Sequence, residues 1–229
     1  EQPAFPTQPL KCAKVGLGEA DRLSAILAAM GIRMALIEHG AVARWAYRCG
    51  GCYDSNDLDV LVARTNTDQI HDALLQEGYR CDVRRTPSVD RREYFRELPP
   101  VGRFWLGVQC TPLVRNWVPA VPGLLAEDLL ARSEPVGETG SLYRLRAEDM
   151  LLVCALHTSI HGYVRPPGIR LHLDVDRIVR HAKIDWAAFT AITTGLQCRR
   201  RVFLSLRLAA ALFRTPIPSG CMSSLVPVD

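Results

Sequence analysis

Asp57 and Asp59 stand two residues apart at the head of the apolar run Leu58-Asp59-Val60-Leu61-Val62-Ala63. Side chains alternate along a strand, so a strand over residues 58–63 turns both carboxylates to one side of its sheet. Held together, two carboxylates repel each other and are costly to leave uncompensated. They suit a hard divalent cation, Mg2+ or Mn2+. Acidic residues at a strand entrance are often simply solvated, so the surroundings decide. Residues 32–37 form another short apolar run, ending at Glu38-His39-Gly40, and Gly40-Ala41 leads into a short helix over 41–47. A helix start beside a cation site offers backbone N–H groups to a triphosphate. Gly40 and Ala41 are therefore nucleotide-facing candidates, together with Arg48 behind that helix and Ser55 in the turn-forming loop before Asp57.

His157 and His161 lie four apart on an expected helix and share a face, which is compatible with metal binding, and Asp174 on the next helix is a possible third ligand. The intervening Thr158, Ser159 and Ile160 exclude the His-Glu-x-x-His zinc protease pattern. This trio reads as a structural or nucleotide-facing polar network, with a metal hydrolase as the rival. Cys49-Gly50-Gly51-Cys52 has neither a second pair nor a nearby His pair and reads as a turn.

The positioning elements follow from periodicity. Pro3, Pro6 and Pro9 mark residues 1–16 as an extended arm, and Leu23, Ile26, Leu27 and Met30 give 17–30 a helical face. Thr67 reads as the cap of a helix over 68–76 that Gly78 ends. Strands are expected near 79–85, 93–98 and 103–111, with no long helices between them, so the class is α+β with a mixed sheet. Residues 112–140, rich in Pro and Gly, form a connector that admits a short helix over 124–131. From 147 the periodicity is helical only, over 147–161, 170–181, 185–196 and 199–213. The division is thus an arm at 1–16, a sheet domain at 17–146, a helical bundle at 147–218 and a loose tail at 219–229.

Composition sets limits. With 229 residues and 48% hydrophobic content the chain can bury a real core. No apolar run approaches the roughly 20 residues of a membrane span, and nothing at the start resembles a secretory signal, so a cytoplasmic protein is expected. Eight cysteines in a chain of this size read as free thiols. The net charge is +4, and since only three of 28 basic residues are Lys, Arg dominates. Apart from Arg199-Arg200-Arg201, acidic and basic residues alternate, which does not call for nucleic acid.

Gly40-Ala41, Tyr47, Asp57-Leu58-Asp59-Val60-Leu61-Val62 and Gly78-Tyr79 resemble the uncharacterised nucleotidyltransferase family of the DNA polymerase β-like superfamily. The likeness continues through Arg146-Ala147-Glu148-Asp149-Met150-Leu151-Leu152, His157, His161, Asp174, Ile184-Asp185-Trp186 and Pro216-Ile217-Pro218, and so covers roughly 15–218. It implies a nucleotidyl-transfer fold whose paired Asp residues hold metal. The chain departs from the family pattern at three places. His39 stands where Lys is usual, and Tyr53 where Arg is. Gln109, in Val108-Gln109-Cys110-Thr111, stands where a third carboxylate is expected. Gln cannot act as a base. Either Glu93 or Glu97 on the neighbouring strand substitutes, or the acceptor needs no base, or catalysis has been lost.

The resulting expectation is metal-dependent transfer of an NMP from an NTP to a small-molecule or peptide acceptor. Asp57 and Asp59 would hold Mg2+ or Mn2+, and the helical domain would select the acceptor. A catalytically degenerate nucleotide- or partner-binding protein of the same fold is the alternative.

Overall fold

The computed structural model describes residues 7–47, 57–85, 88, 90–99, 102–113, 121–136 and 140–227. The first half runs α1 (Thr7–Ala29), β1 (Met34–Leu36), α2 (Glu38–Trp45), β2 (Asp57–Leu61), α3 (Thr67–Gln76), β3 (Arg80–Cys81), β4 (Arg91–Leu98) and β5 (Gly102–Gln109). It continues through α4 (Ala126–Ala131), β6 (Glu134–Val136) and β7 (Leu142–Arg144). The helices α5 (Ala147–Ile160), α6 (Ile169–His181), α7 (Trp186–Gly195), α8 (Arg199–Phe213) and α9 (Ser219–Leu225) complete it.

The strands form one mixed sheet in the order β3-β4-β5-β2-β1-β7-β6. β2 pairs antiparallel with β1 and parallel with β5, and β4 joins β5 antiparallel. The class is α+β, as the strand pattern implies. Leu58, Val60, Tyr94, Phe104, Leu106 and Val108 are buried on one face of the β4-β5-β2 wing. Burying each such side chain stabilises the fold by about 1.5–3 kcal/mol. A one-residue slip would therefore exchange this apolar face for the polar one, so the register is strongly specified. The opposite face carries Asp57 beside Trp105, Asp59 beside Gly107, and then Gln109 one row on.

Helix α5 is buried nearly all round, which is why its run Met150-Leu151-Leu152-Val153-Cys154-Ala155-Leu156 shows no polar stripe. Helices α2, α6, α7 and α8 pack around it. Arg132, just after α4, grips buried Asp149 at the start of α5 through two hydrogen bonds of 2.6 and 2.8 Å. Asp185 caps α7 by accepting from the N–H groups of Ala187 and Ala188, each at 3.0 Å.

Several expected boundaries move. Residues 7–16 belong to α1 instead of an extended arm, with Pro9 in the first turn, where its missing N–H costs no intrahelical bond. The stretch from 219 forms α9, because Cys221 and Leu225 bury against the bundle. The connector at 112–140 holds its expected short helix as α4 and adds the edge strand β6. Thr67 is the first residue of α3 and donates its hydroxyl to Arg64 O instead of capping the helix. Among the described residues, 147–218 contains helices and no strand.

Candidate active site

The carboxylate pair is placed by β2 and its two neighbours. Asp59 lies over Gly107 of β5, and a Cβ at position 107 would come within 2.2 Å of Asp59 Oδ1. The missing side chain is what lets the carboxylate lie there. Gln109, two residues further along β5, is fully buried and donates from Nε2 to Asp59 Oδ1 at 3.0 Å. Its Oε1 is buried with no hydrogen-bond partner among the described residues. Arg91 of β4 completes the group, with Nη2 3.0 Å from Asp59 Oδ1 and Nε 2.6 Å from Glu93 Oε1. Burial alone would favour a neutral Arg91, but the charges of Asp59, Glu38 and Glu93 overcome this and hold the guanidinium firmly protonated.

Asp57 is the more open of the pair. The surrounding protein desolvates it, and the Asp59 charge adds to this, so its carboxyl is raised above the ordinary carboxylate range despite opposing help from Arg170, His39 and Arg91. These influences come from both halves of the chain.

Helix α2 starts at Glu38 instead of Ala41, directly after β1. Glu38 adopts a left-handed φ of 54°, a conformation that costs a residue with a side chain of order 1–3 kcal/mol and concentrates at functional sites. Gly40 is buried against Leu58, where a Cβ would meet Leu58 Cδ1 at 2.8 Å. Ala41 N–H is already bonded to Ile37 O. Of the two nucleotide-facing candidates here, Gly40 alone keeps a backbone N–H in the first turn, where the helix supplies no acceptor. Arg48 and Ser55 lie outside the described residues, as do Tyr53, Cys49 and Cys52.

The start of α2 also ties the two halves together. His39 Nδ1 is 2.7 Å from Asp174 Oδ2 on α6, and the Tyr47 hydroxyl donates to Asp174 Oδ1 at 2.7 Å. Burial, then the Asp174 charge, pushes the Tyr47 phenol far above its usual range, so it stays a donor. Beside this, His157 Nδ1 is 3.1 Å from Glu38 Oε2, and His157 Nε2 is 3.0 Å from His161 Nε2. His161 Nδ1 donates to Pro166 O at 2.7 Å. Glu38, His157 and His161 thus form one polar chain, which His161 continues to Pro166 O.

The trio His157, His161 and Asp174 is therefore not assembled as a metal site. The two imidazoles turn their Nε2 atoms on each other, and Asp174 serves His39 and Tyr47. Among the described residues no group of three or more His, Cys, Asp or Glu side chains is arranged to hold a metal ion. For a hard cation, Asp57 and Asp59 offer carboxylate oxygens, and the neighbouring Gln109 brings a neutral amide that donates to Asp59. The ligand atoms are all oxygens, which fits Mg2+ or Mn2+ chemically.

Glu97 is exposed and pairs with Arg103 at 3.0 Å, away from the acidic pair, while Glu93 is held beside it by Arg91. Arg91 and Glu38 escaped sequence reasoning as site residues. The two-residue spacing of Arg91 and Glu93 shows that they share a face, but which strand lies beside β2 is a matter of topology. A cavity of about 550 Å3 lies elsewhere, between Trp45, Arg146, Glu148 and Lys183, and contains neither Asp.

Residues 13–214 match the model of a family described as uncharacterised nucleotidyltransferase. No curated protein matches the chain.

Proposed function

The chain belongs to the uncharacterised nucleotidyltransferase family, and from that premise we propose that it transfers an NMP from an NTP to a small-molecule or peptide acceptor with the help of Mg2+ or Mn2+. The observation that carries this reading is the presentation of Asp57 and Asp59 on one sheet face, with Gln109 against Asp59 and the first turn of α2 alongside. When bound, the cation would be held by Asp57 and Asp59, and it would neutralise charge on the triphosphate during in-line displacement. The N–H of Gly40 would orient a phosphate oxygen, and Arg170, at the start of α6, would add positive charge opposite Asp57. Transfer joins the acceptor oxygen or nitrogen to the α-phosphorus, breaks the α–β bridge and releases pyrophosphate. The acceptor's proton leaves to solvent or to a neighbouring base.

The reading is tested by incubating the protein with each of the four NTPs and Mg2+ or Mn2+, and measuring pyrophosphate release and labelling of small-molecule and peptide fractions. Asn at both 57 and 59 should abolish the metal dependence of nucleotide binding while the protein stays folded. Undiminished metal-assisted binding by that double variant would remove Asp57 and Asp59 from the site.

A second reading, nucleotide binding without turnover, is favoured by one observation. Gln109 supplies no negative charge where a carboxylate would, and its amide is already committed to Asp59. Metal-dependent nucleotide binding with no pyrophosphate release from any NTP, across a wide acceptor panel, would select it.

A further inference from the structure

Arg91 is only 7% exposed, yet its guanidinium reaches two carboxylates, Asp59 at 3.0 Å and Glu93 at 2.6 Å. The position is built into the sheet. Arg91, Gln109 and Leu61 occupy one cross-strand row, and Glu93, Gly107 and Asp59 the next. Gly107 leaves the gap through which Arg91 meets Asp59, since a Cβ there would lie 3.0 Å from Arg91 Nη2 as well as 2.2 Å from Asp59 Oδ1. A cation held so close to one of two paired carboxylates competes with any metal for that carboxylate.

We propose that Arg91 is a resident counter-ion that competes with a divalent cation for Asp59, so that the cation is taken up together with the triphosphate instead of beforehand. This rests on the transferase reading. Asp57 and Asp59 bring two negative charges, Gln109 adds none, and Arg91, which Glu93 also holds, sets a positive charge directly against Asp59. A free dication therefore approaches Asp59 against a fixed guanidinium. A unit charge facing a dication across about 6 Å weakens binding by about tenfold, even at the dielectric of water. A dication arriving on a triphosphate brings phosphate oxygens as ligands and needs less from the protein. Glu93 then keeps Arg91 satisfied when Asp59 turns to the metal, because the Arg91–Glu93 bond does not depend on Asp59.

The test measures Mn2+ binding to the full chain by electron paramagnetic resonance, without and with a non-hydrolysable NTP analogue. Wild-type protein should bind Mn2+ weakly alone and tightly with the analogue. Arg91→Gln should tighten binding of Mn2+ alone by about tenfold or more. Arg91→Met keeps the aliphatic volume should Gln not be accommodated, and it should do the same. Arg91→Lys, which keeps the charge, should leave Mn2+ alone weakly bound. Wild-type binding of Mn2+ alone as tight as with the analogue would overturn the proposal, as would a folded Gln or Met variant with unchanged Mn2+ affinity. If no variant binds nucleotide under any metal condition while loss of Arg91 still tightens Mn2+, the transferase reading fails and Arg91 stands as counter-ion of the acidic pair.

Discussion

His39 Nδ1 meets Asp174 Oδ2 at 2.7 Å, across a sequence separation of 135 residues. One partner stands on the helix that follows β1 and the other on the second helix of the bundle, so this contact joins the two halves behind the site. Tyr47 shares the same carboxylate. Tyr47→Phe should lower stability by about 1.5–3 kcal/mol, and Asp174→Asn by at least as much, because each removes a hydrogen bond to a buried charge. Urea unfolding measures both. Wild-type midpoints in the two variants would show that the halves are held together elsewhere.

Gly107→Ala separates site from fold. The added Cβ would displace the ends of Asp59 and Arg91, both on the polar face of the sheet, while the apolar face is untouched. The variant should fold, with a secondary-structure signal like that of the wild type. It should lose metal-assisted nucleotide affinity by about tenfold, the scale of one misplaced charge interaction. Full affinity would mean that the position of Asp59 is not critical.

Gln109→Asp restores a negative charge beside Asp59. If a missing base limits the reaction, the chemical step should rise by up to about 10²–10⁴, while nucleotide affinity at saturating metal changes little. Single-turnover rates compared with equilibrium binding decide it. A change confined to affinity would assign Gln109 to ligand binding alone.

Glu19 gives a pH prediction far from the site. Burial by itself raises its carboxyl, but hydrogen bonds from Arg22 and Tyr79, with the charges of Arg22 and Arg96, override this and hold it below the model-compound value of 4.5. A lowered folded-state value means that the stabilisation is present above pH 4.5 and is lost as pH falls through the folded-state value. Glu19→Gln should therefore be less stable than wild type at pH 7, and the gap should narrow below about pH 4.5, the unfolded-state value. A constant gap down to pH 3 would exclude the carboxylate as its source.

Much of this protein could be read along the chain. The two-residue spacing of Asp57 and Asp59 within an apolar run determined that they share a face, because a strand alternates and burial of Leu58 and Val60 fixes which side is inside. The same local rules located β4, β5 and the four helices between 147 and 213, and the motifs around Asp57 carried the family. Helix ends were less legible: a left-handed Glu38 starts α2 early, and α9 forms only because the bundle receives Cys221 and Leu225. Tertiary structure alone decided what surrounds the carboxylates. The strand order sets β5 beside β2 and β4 beside β5, and this brings Gln109 and Arg91 onto Asp59 from 50 and 32 residues away. It likewise gave Asp174 to His39 and Glu38 to His157, dissolving a metal trio that helical spacing had suggested. Spacing reports which side chains share one element's face. Which faces meet depends on how every apolar surface is buried at once, and that is settled only by the packed whole.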